Sequence, residues 1–574
     1  MNKFKRILIV FTLMFTLFSI FTGAQVIAVS NSNDVKVNNK IHIDQLGYRT
    51  NDKKVVVISG KGGVFEVIDS KTQKAVYSGK AQTKVDDTTG ASGDIVYYGD
   101  FSSIKKAGVY YIKVPGVGKS YSFKISDDVY NNVKDTTLKG LYYQRCGIEL
   151  NKKYAGQWVH EACHLSAGQI NGTNKMLNGN GGWHDAGDYG KYTIGAAKTA
   201  ADLLLAYDFY PKKFNDKSNI PESGNKVPDV LDESRYGINW MLKMQDKSTG
   251  GVYHKLTAAG FPDITTMPDT DIADLYFSPI SSTATGDFAA ITALAARIYK
   301  PFDKAFSAKC LAASEKAWAW LTKHKNPVLF HNPAEISTGE YGDSRDSDER
   351  FWAAAELYRT TGKKTYNDYI KNIKDRSAML GDIGWQSVGG YGCIAYVFTD
   401  KNKTDNSIRS KIINEMIKTA DAMVTTSNSD GYKTSLKSGE YYWGSNGVIM
   451  NKAMQLIIAN SIKSNIKYLQ AAQDDLHYVL GRNTMDKTYI TGIGANSVKN
   501  PHHRPSVGDG ITAPVPGLVA GGPNSRLEDD LAKSKLTGLA PAKCYIDDVS
   551  SYSTNEIDTY WNSPTVFVSA YFSK

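Results

Sequence analysis

The chain is 574 residues long, with 41% hydrophobic, 11% aromatic and 22% charged residues, 50 Gly, 17 Pro and five Cys. That composition excludes a disordered, collagen-like or disulfide-scaffold protein, and the length allows two to four domains. A formal net charge of +10 over the whole chain is too dilute to specify nucleic acid without a clustered basic face. The 35 Tyr and 9 Trp have to serve as core or as ligand platform.

Residues 1–28 read as a secretory signal peptide. Lys3, Lys5 and Arg6 precede an uncharged apolar run, Ile7 to Phe21, followed by small residues at Gly23, Ala24 and Ala28. The alternative, an uncleaved anchor, needs about 20 apolar residues, and this run is shorter. Removal of the leader takes the charge from +10 to +7 and predicts a secreted protein with no membrane association.

From Ile41 to Ile125 short β-type runs alternate with turn residues. They are Val55–Ile58, Val64–Ile68, Ile95–Tyr98, Val109–Val114 and Tyr121–Ile125. Such spacing predicts a small all-β sandwich, placed at residues 38–128. After Val133 the apolar period becomes helical: Ile194–Phe209, Val227–Met244, Phe288–Tyr299, Phe302–His324 and Phe351–Arg359, then Tyr366–Leu380, Ile408–Val424, Val448–Ile462 and Tyr468–Leu480. No sustained alternating strand pattern interrupts them. So many helices fit a closed ring of helical hairpins, whose end loops are free to build a site. This second domain is placed at residues 134–574.

Three segments carry chemistry. Gly181-Gly182-Trp183-His184-Asp185-Ala186-Gly187-Asp188-Tyr189 sets two carboxylates three residues apart on a Gly-rich loop before a helix. The pair could hold a water or a cation, or simply cap the helix. Asn500-Pro501-His502-His503-Arg504-Pro505 is a rigid loop suited to polar ligand atoms. Near the C-terminus, Tyr552, Glu556 and Tyr560-Trp561-Asn562-Ser563 place one carboxyl group, Glu556, among aromatics that would favour its protonated form. Separately, Cys146, Cys163, His164 and His184 fall within 39 residues. Their spacing fits a closed tetrahedral zinc site, and equally a Cys146–Cys163 disulfide. Cys310, Cys393 and Cys544 read as structural thiols.

Together these motifs resemble family 9 glycoside hydrolases, the inverting cellulases. The Gly-Gly-Trp-His-Asp-Ala-Gly-Asp-Tyr run is similar to the family's base motif. Gly494-x-Asn496-x4-Pro501-His502-x-Arg504 matches its first signature, and Asp547-x4-Tyr552-x3-Glu556-x5-Asn562-Ser563 its second, with Asp558 where the family usually has Ala, Ser or Thr. Gln45-Leu46-Gly47-Tyr48 lies in a region resembling the immunoglobulin-like module that precedes some of these enzymes. The resemblance implies a mostly α protein, an (α/α)6 barrel behind a small immunoglobulin-like β-sandwich.

It also implies roles. Asp188 is expected as general base, Asp185 as holder of the attacking water and Glu556 as general acid, with base and acid carboxyls about 6.5–9.5 Å apart. His502 and Arg504 are expected to bind sugar hydroxyls, and Trp443 and Tyr552 to offer stacking platforms, with Trp183 part of the same sugar-binding floor. Members with the module carry a zinc site of the same kind as Cys146, Cys163, His164 and His184, so zinc is expected and structural. Tyr341-Gly342-Asp343-Ser344-Arg345-Asp346-Ser347-Asp348-Glu349 resembles the family's calcium loop, with Asp348 and Glu349 as ligands, although Gln386 and Ser387 stand where a further carboxylate often does. The expected activity is an endo-acting β-1,4-glucanase on cellulose or related β-glucans. An exo-acting enzyme on cellodextrins, xyloglucan or chitooligosaccharides is the alternative. A zinc hydrolase is disfavoured, since no His-Glu-x-x-His helix is present. No segment resembles a dockerin, which predicts a free enzyme outside any cellulosome.

Overall fold

The computed structural model describes residues 36–82, 84–85, 87–373 and 383–574. The expected signal peptide and the end of the expected helix Tyr366–Leu380 lie outside the described residues.

The first part is a two-sheet sandwich. Its strands are β1 (Ile41–His42), β2 (Gly47–Tyr48), β3 (Val55–Ser59), β4 (Gly63–Asp69), β5 (Ala75–Ala81), β6 (Val96–Asp100), β7 (Gly108–Val114), β8 (Gly118–Lys119) and β9 (Phe123–Ile125). One sheet runs β1-β3-β6; the other runs β2-β9-β7-β4-β5, with β8 on β7. Alternate residues from both sheets, among them Tyr48, Val56, Ile58, Phe65, Val67, Tyr110, Ile112 and Phe123, close a separate core. Strand β5 was not expected, because Ala75-Val76-Tyr77-Ser78-Gly79-Lys80-Ala81 lies largely exposed at the edge and carries little alternation.

Among the described residues twelve long or medium helices follow: α1 (Asn131–Tyr143), α2 (Thr193–Phe209), α3 (Asp229–Met244), α4 (Ser282–Tyr299), α5 (Lys304–Lys323), α6 (Ser347–Thr361), α7 (Lys364–Asn372), α8 (Gly389–Val397), α9 (Asn406–Ser429), α10 (Ser445–Ile462), α11 (Ile466–Val479) and α12 (Thr559–Phe572). Burial sorts them into two sets. Helices α2, α4, α8 and α12 are buried at almost every position, and α6 and α10 along most of their length. A helix buried all round belongs inside. The odd-numbered helices are amphipathic; α5, for example, buries Phe306, Cys310, Ser314, Ala317 and Leu321 at helical spacing and exposes the rest. Alternation of inner and outer helices along the chain is the (α/α)6 barrel. Helix α4 starts six residues before the expected Phe288. Ser281 caps it by accepting from Ala284 N at 3.1 Å, and its first turn is Ser-Thr-Ala-Thr, buried although not apolar.

Because the inner helices all run the same way, their N-terminal ends meet at one end of the barrel. The Asp185–Asp188 loop precedes α2, the Tyr341–Glu349 segment leads into α6, Trp443 precedes α10 and Glu556 precedes α12. A small sheet, absent from the sequence expectation, braces that end. Its strands are β10 (Gly168–Ile170), β11 (Met176–Leu177), β12 (Lys191–Tyr192), β14 (Lys255–Thr257) and β15 (Tyr276–Phe277), in the order β11-β10-β15-β14-β12, while β13 (Val252–Tyr253) pairs with β16 (Ile280–Ser281). Strands of two or three residues leave no period to read.

The sandwich is stitched to the helical part through the Gln45-Leu46-Gly47-Tyr48 run. Gln45 Nε2 donates to Asp486 O and Gln45 Oε1 accepts from Asn496 N, both at 2.8 Å. Asp44 Oδ2 lies 2.8 Å from His477 Nδ1 on α11. Among the described residues no helix is long and apolar enough to cross a membrane.

Candidate active site

The loop between Gly181 and Tyr192 is held from both sides. Cys146 N donates to Gly182 O and His184 N to Gln144 O, each at 2.8 Å, which ties the loop to the end of α1. Gln144 Nε2 also donates to Ala186 O at 2.8 Å, and Gln144 Oε1 faces His503 Nε2 at 2.9 Å. From the other side, Thr559 N donates to Asp185 O at 2.9 Å, and Ala186 pairs with Asp558 in an isolated bridge. The second and third segments are joined in the same way: His502 N donates to Asn555 O at 2.9 Å, and His502 bridges Glu556. Gly187 is where the two meet, since a Cβ there would fall 2.0 Å from His502 O. Only glycine permits that approach. Backbone pairing therefore brings Asp185, Asp188, His502, Arg504 and Glu556 together.

The carboxyls differ in their surroundings. Burial raises Asp188 above the ordinary carboxylate range, an effect that the Arg504 guanidinium, the Gly190 N–H, the Tyr192 hydroxyl and Lys255 offset only in part. Glu556 is driven well above the ordinary carboxylate range, first by burial and then by the negative charge of Asp188. Asp185 is also raised by burial. Its Oδ2 accepts a 2.6 Å hydrogen bond from the Tyr341 hydroxyl, 156 residues away in sequence. Two carboxyl groups whose environments set them apart are what paired acid and base chemistry requires.

Arg504 spends part of its fork on backbone. Nε and Nη2 donate to Pro262 O at 3.0 and 2.8 Å, and Nη1 donates to Gly187 O at 2.9 Å. Two of its five N–H groups remain for a ligand, and its main action here is to pin the Asp188 loop. His502 Nδ1 faces Val549 O at 2.6 Å, which fixes the proton there and leaves Nε2 as an acceptor for a hydroxyl. Trp443 and Tyr552 are both 38% exposed, with ring centroids 5.4 Å apart, and form an open aromatic pair beside His502. Trp183 is different. It is 3% exposed, its Nε1 donates to Glu233 Oε1 at 2.7 Å, and it packs in the main core, so the expectation that it lines a sugar floor is corrected. A Cβ at Gly237 would fall 2.1 Å from the indole, so glycine marks tight packing there, not an open face.

Cys146, Cys163, His164 and His184 are all buried, with ligand atoms within 4.8 Å of one another. His184 Nε2 lies 3.3 Å from His164 Nδ1 and 3.8 Å from Cys163 Sγ. Tetrahedral zinc at ordinary bond lengths would place such atoms about 3.3 and about 3.6 Å apart. His164 Nε2 meets the Asp271 carboxylate at 3.3 Å, the outer partner a metal-bound imidazole usually has. No disulfide joins Cys146 and Cys163. Donor set and spacing fit a closed metal site.

The Asp348–Glu349 pair opens α6. Asp348 Oδ2 accepts from Val388 N at 3.1 Å, whereas Glu349 Oε2 and both oxygens of Asp287 on α4 are buried without a hydrogen-bond partner. Among the described residues Asp287 and Asp343 are the neighbouring carboxylates, and burial beside Asp348 raises Asp287 well above normal. Orphaned buried carboxylate oxygens fit an oxygen-loving cation. Sequence reasoning missed Asp287, Tyr341 and Gln144. Tyr341 sat inside the calcium-type segment, and nothing local linked it to Asp185.

The family model for glycosyl hydrolase family 9 matches residues 130–569, and that for a cellulase N-terminal ig-like domain matches residues 36–119. Endoglucanase D of Acetivibrio thermocellus is 35% identical over 559 residues, covering 96% of this chain and 85% of that protein. A cellodextrinase of Butyrivibrio fibrisolvens is 35% identical over 92% of this chain and 98% of its own length. The solved structure of AaCel9A in complex with cellobiose-like isofagomine aligns with TM-score 0.87 and 37% identity, over 93% of this chain and 99% of that one. With the motifs paired at one end of the barrel and a family model spanning most of the chain, the protein belongs to glycosyl hydrolase family 9.

Proposed function

We propose that the chain is a secreted endo-acting β-1,4-glucanase that hydrolyses cellulose or related β-glucans with inversion. The observation that carries this reading is the pairing of the Asp185–Asp188 loop with the His502 and Glu556 segments, where burial raises both carboxyls and the charge of Asp188 raises Glu556 further. Asp188, whose ionised form Arg504 and Lys255 favour against burial, takes a proton from water on one face of the sugar ring. Asp185 orients that water. Glu556, kept neutral by burial, gives its proton to the departing glycosidic oxygen on the other face. His502 Nε2 and the remaining Arg504 N–H groups meet sugar hydroxyls. Trp443 and Tyr552 supply flat apolar surface for a pyranose ring.

Zinc held by Cys146, Cys163, His164 and His184 would have four protein ligands and no open position, so its contribution is structural. It would tie His184, and with it the Asp185 backbone, to the loop carrying Asp271. Calcium at Asp348 and Glu349, with Asp287 beside them, would neutralise the buried carboxylates between α4 and α6.

Release of reducing ends from a soluble cellulose derivative by the purified protein tests the reading; no release would end it. The 35% identity to a cellodextrinase supports exo-action on cellodextrins as a second reading. Product profiles on oligosaccharides of defined length separate the two, since endo-action cuts internally from the first turnover.

A further inference from the structure

Asp558 is a carboxylate 2% exposed that the mechanism above leaves unused. One oxygen, Oδ1, caps α12 by accepting from Tyr560 N at 3.0 Å. The other, Oδ2, faces the Tyr341 hydroxyl at 3.4 Å. That hydroxyl has one proton, already directed at Asp185 Oδ2 at 2.6 Å. The Tyr560 hydroxyl is a third neighbour at 3.2 Å. Tyr341 itself is held at φ 51°, a left-handed backbone conformation that a bulky residue adopts only when its surroundings impose it. Its ring is fixed by Tyr192 at 4.5 Å and Trp385 at 4.9 Å between centroids, and its hydroxyl by the three groups just named.

With its proton committed to Asp185, the phenol oxygen turns lone pairs toward Asp558. An ionised Asp558 would face that oxygen and the buried Asp185 with only Tyr560 to donate to it, through its N–H on Oδ1 and its hydroxyl, whereas a protonated one also completes a hydrogen bond to the Tyr341 oxygen. The charged groups nearby favour the neutral form. Asp185 and Glu556 both raise Asp558, and burial raises it most. The cation below, Lys198, is committed to Asp202 Oδ2 at 2.7 Å and Tyr560 O at 3.1 Å.

We propose that Asp558 is a positioning residue: as a neutral acid it donates to the Tyr341 oxygen, so that Asp558, Tyr341 and Asp185 form a donor chain running one way and ending on Asp185. Each donor in such a chain polarises the next and strengthens its bond. The Asp185 carboxyl is thereby held in the orientation that serves the water. This inference rests on the water-holding role of Asp185 proposed above.

Steady-state kinetics on a β-1,4-gluco-oligosaccharide, with the full chain, test it. Asp558→Ala is expected to lower kcat about tenfold with KM within about twofold. Asp558→Asn, whose amide still donates, recovers most of that loss. Asp558→Ser keeps an α12 cap but cannot reach Tyr341, and is expected to be as slow as the alanine variant; it serves if Asp558→Ala does not fold. An asparagine variant as slow as Asp558→Ala, a wild-type kcat in Asp558→Ser, or a change confined to KM overturns the proposal. Asp185→Asn measured alongside keeps the two readings apart. If it is slow while Asp558→Ser is not, only Asp558 has been misread; if it turns over like wild type, the role of Asp185 has been misread as well.

Discussion

Gly187→Ala is the substitution for which the structure gives the most direct magnitude. The new Cβ would lie 2.0 Å from His502 O, where real Cβ contacts essentially never come below 3.0 Å, so the two segments must separate by about 1 Å. The obstacle is backbone, so no side-chain rotation relieves it. His502 is bridged to Glu556 and donates to Asn555 O, so the displacement is passed to the acid while Asp188 stays on the other side of the contact. A misplacement of about 1 Å between reacting groups costs on the order of 100-fold in rate. The accompanying overpacking costs about 1–3 kcal/mol, a few degrees of melting temperature in a protein this large. The expected result is a folded protein with kcat reduced about 100-fold, read from reducing-sugar release together with a circular-dichroism melt. A variant that melts as the wild type does and keeps kcat within about threefold would show that this contact does not set the base–acid geometry.

Replacing Arg504 by Gln removes the guanidinium that lowers both Asp188 and Glu556. Asp188 must be ionised and Glu556 protonated to work, so both limbs of the pH–activity profile should move to higher pH; unmoved limbs, or limbs moved to lower pH, contradict the assignment. Gln45→Ala breaks two hydrogen bonds between the sandwich and the segment that leads to His502, and a chain starting near Val133 breaks them all. The first should lower the melting temperature by a few degrees and the second should abolish activity; equal stability and activity in the shortened chain would refute a bracing role. Stripping metal with a strong chelator should release one zinc per chain and lower the melting temperature by about 10 °C or more, with less than a tenfold fall in kcat below the transition. Complete loss of turnover with an unchanged melt would argue for a catalytic metal.

What was legible in the sequence is what local spacing encodes. The Asp185–Asp188 loop, the Cys–His cluster and the helical periods of the inner and outer rings could be read because each lies within a few dozen residues. Long-range contacts could not. Tyr341, before α6, reaches Asp185, before α2, across 156 residues, and Asp287 on α4 meets Glu349 on α6. Trp183 was misread for a related reason: the glycines that precede it suit an exposed platform and tight burial alike, and only Glu233 and the core around it decide. The first turn of α4 escaped because serines and threonines were buried there through backbone and cap bonds rather than through apolar contact.

The anomeric form of the first product reports on which face of the sugar the water attacks. In the proposed mechanism Asp188 activates water on the face opposite the bond that Glu556 protonates. Proton magnetic resonance of β-1,4-gluco-oligosaccharide hydrolysis should therefore show the α-anomer of the new reducing end first, with the β-anomer rising only as mutarotation proceeds. Initial release of the β-anomer would contradict it.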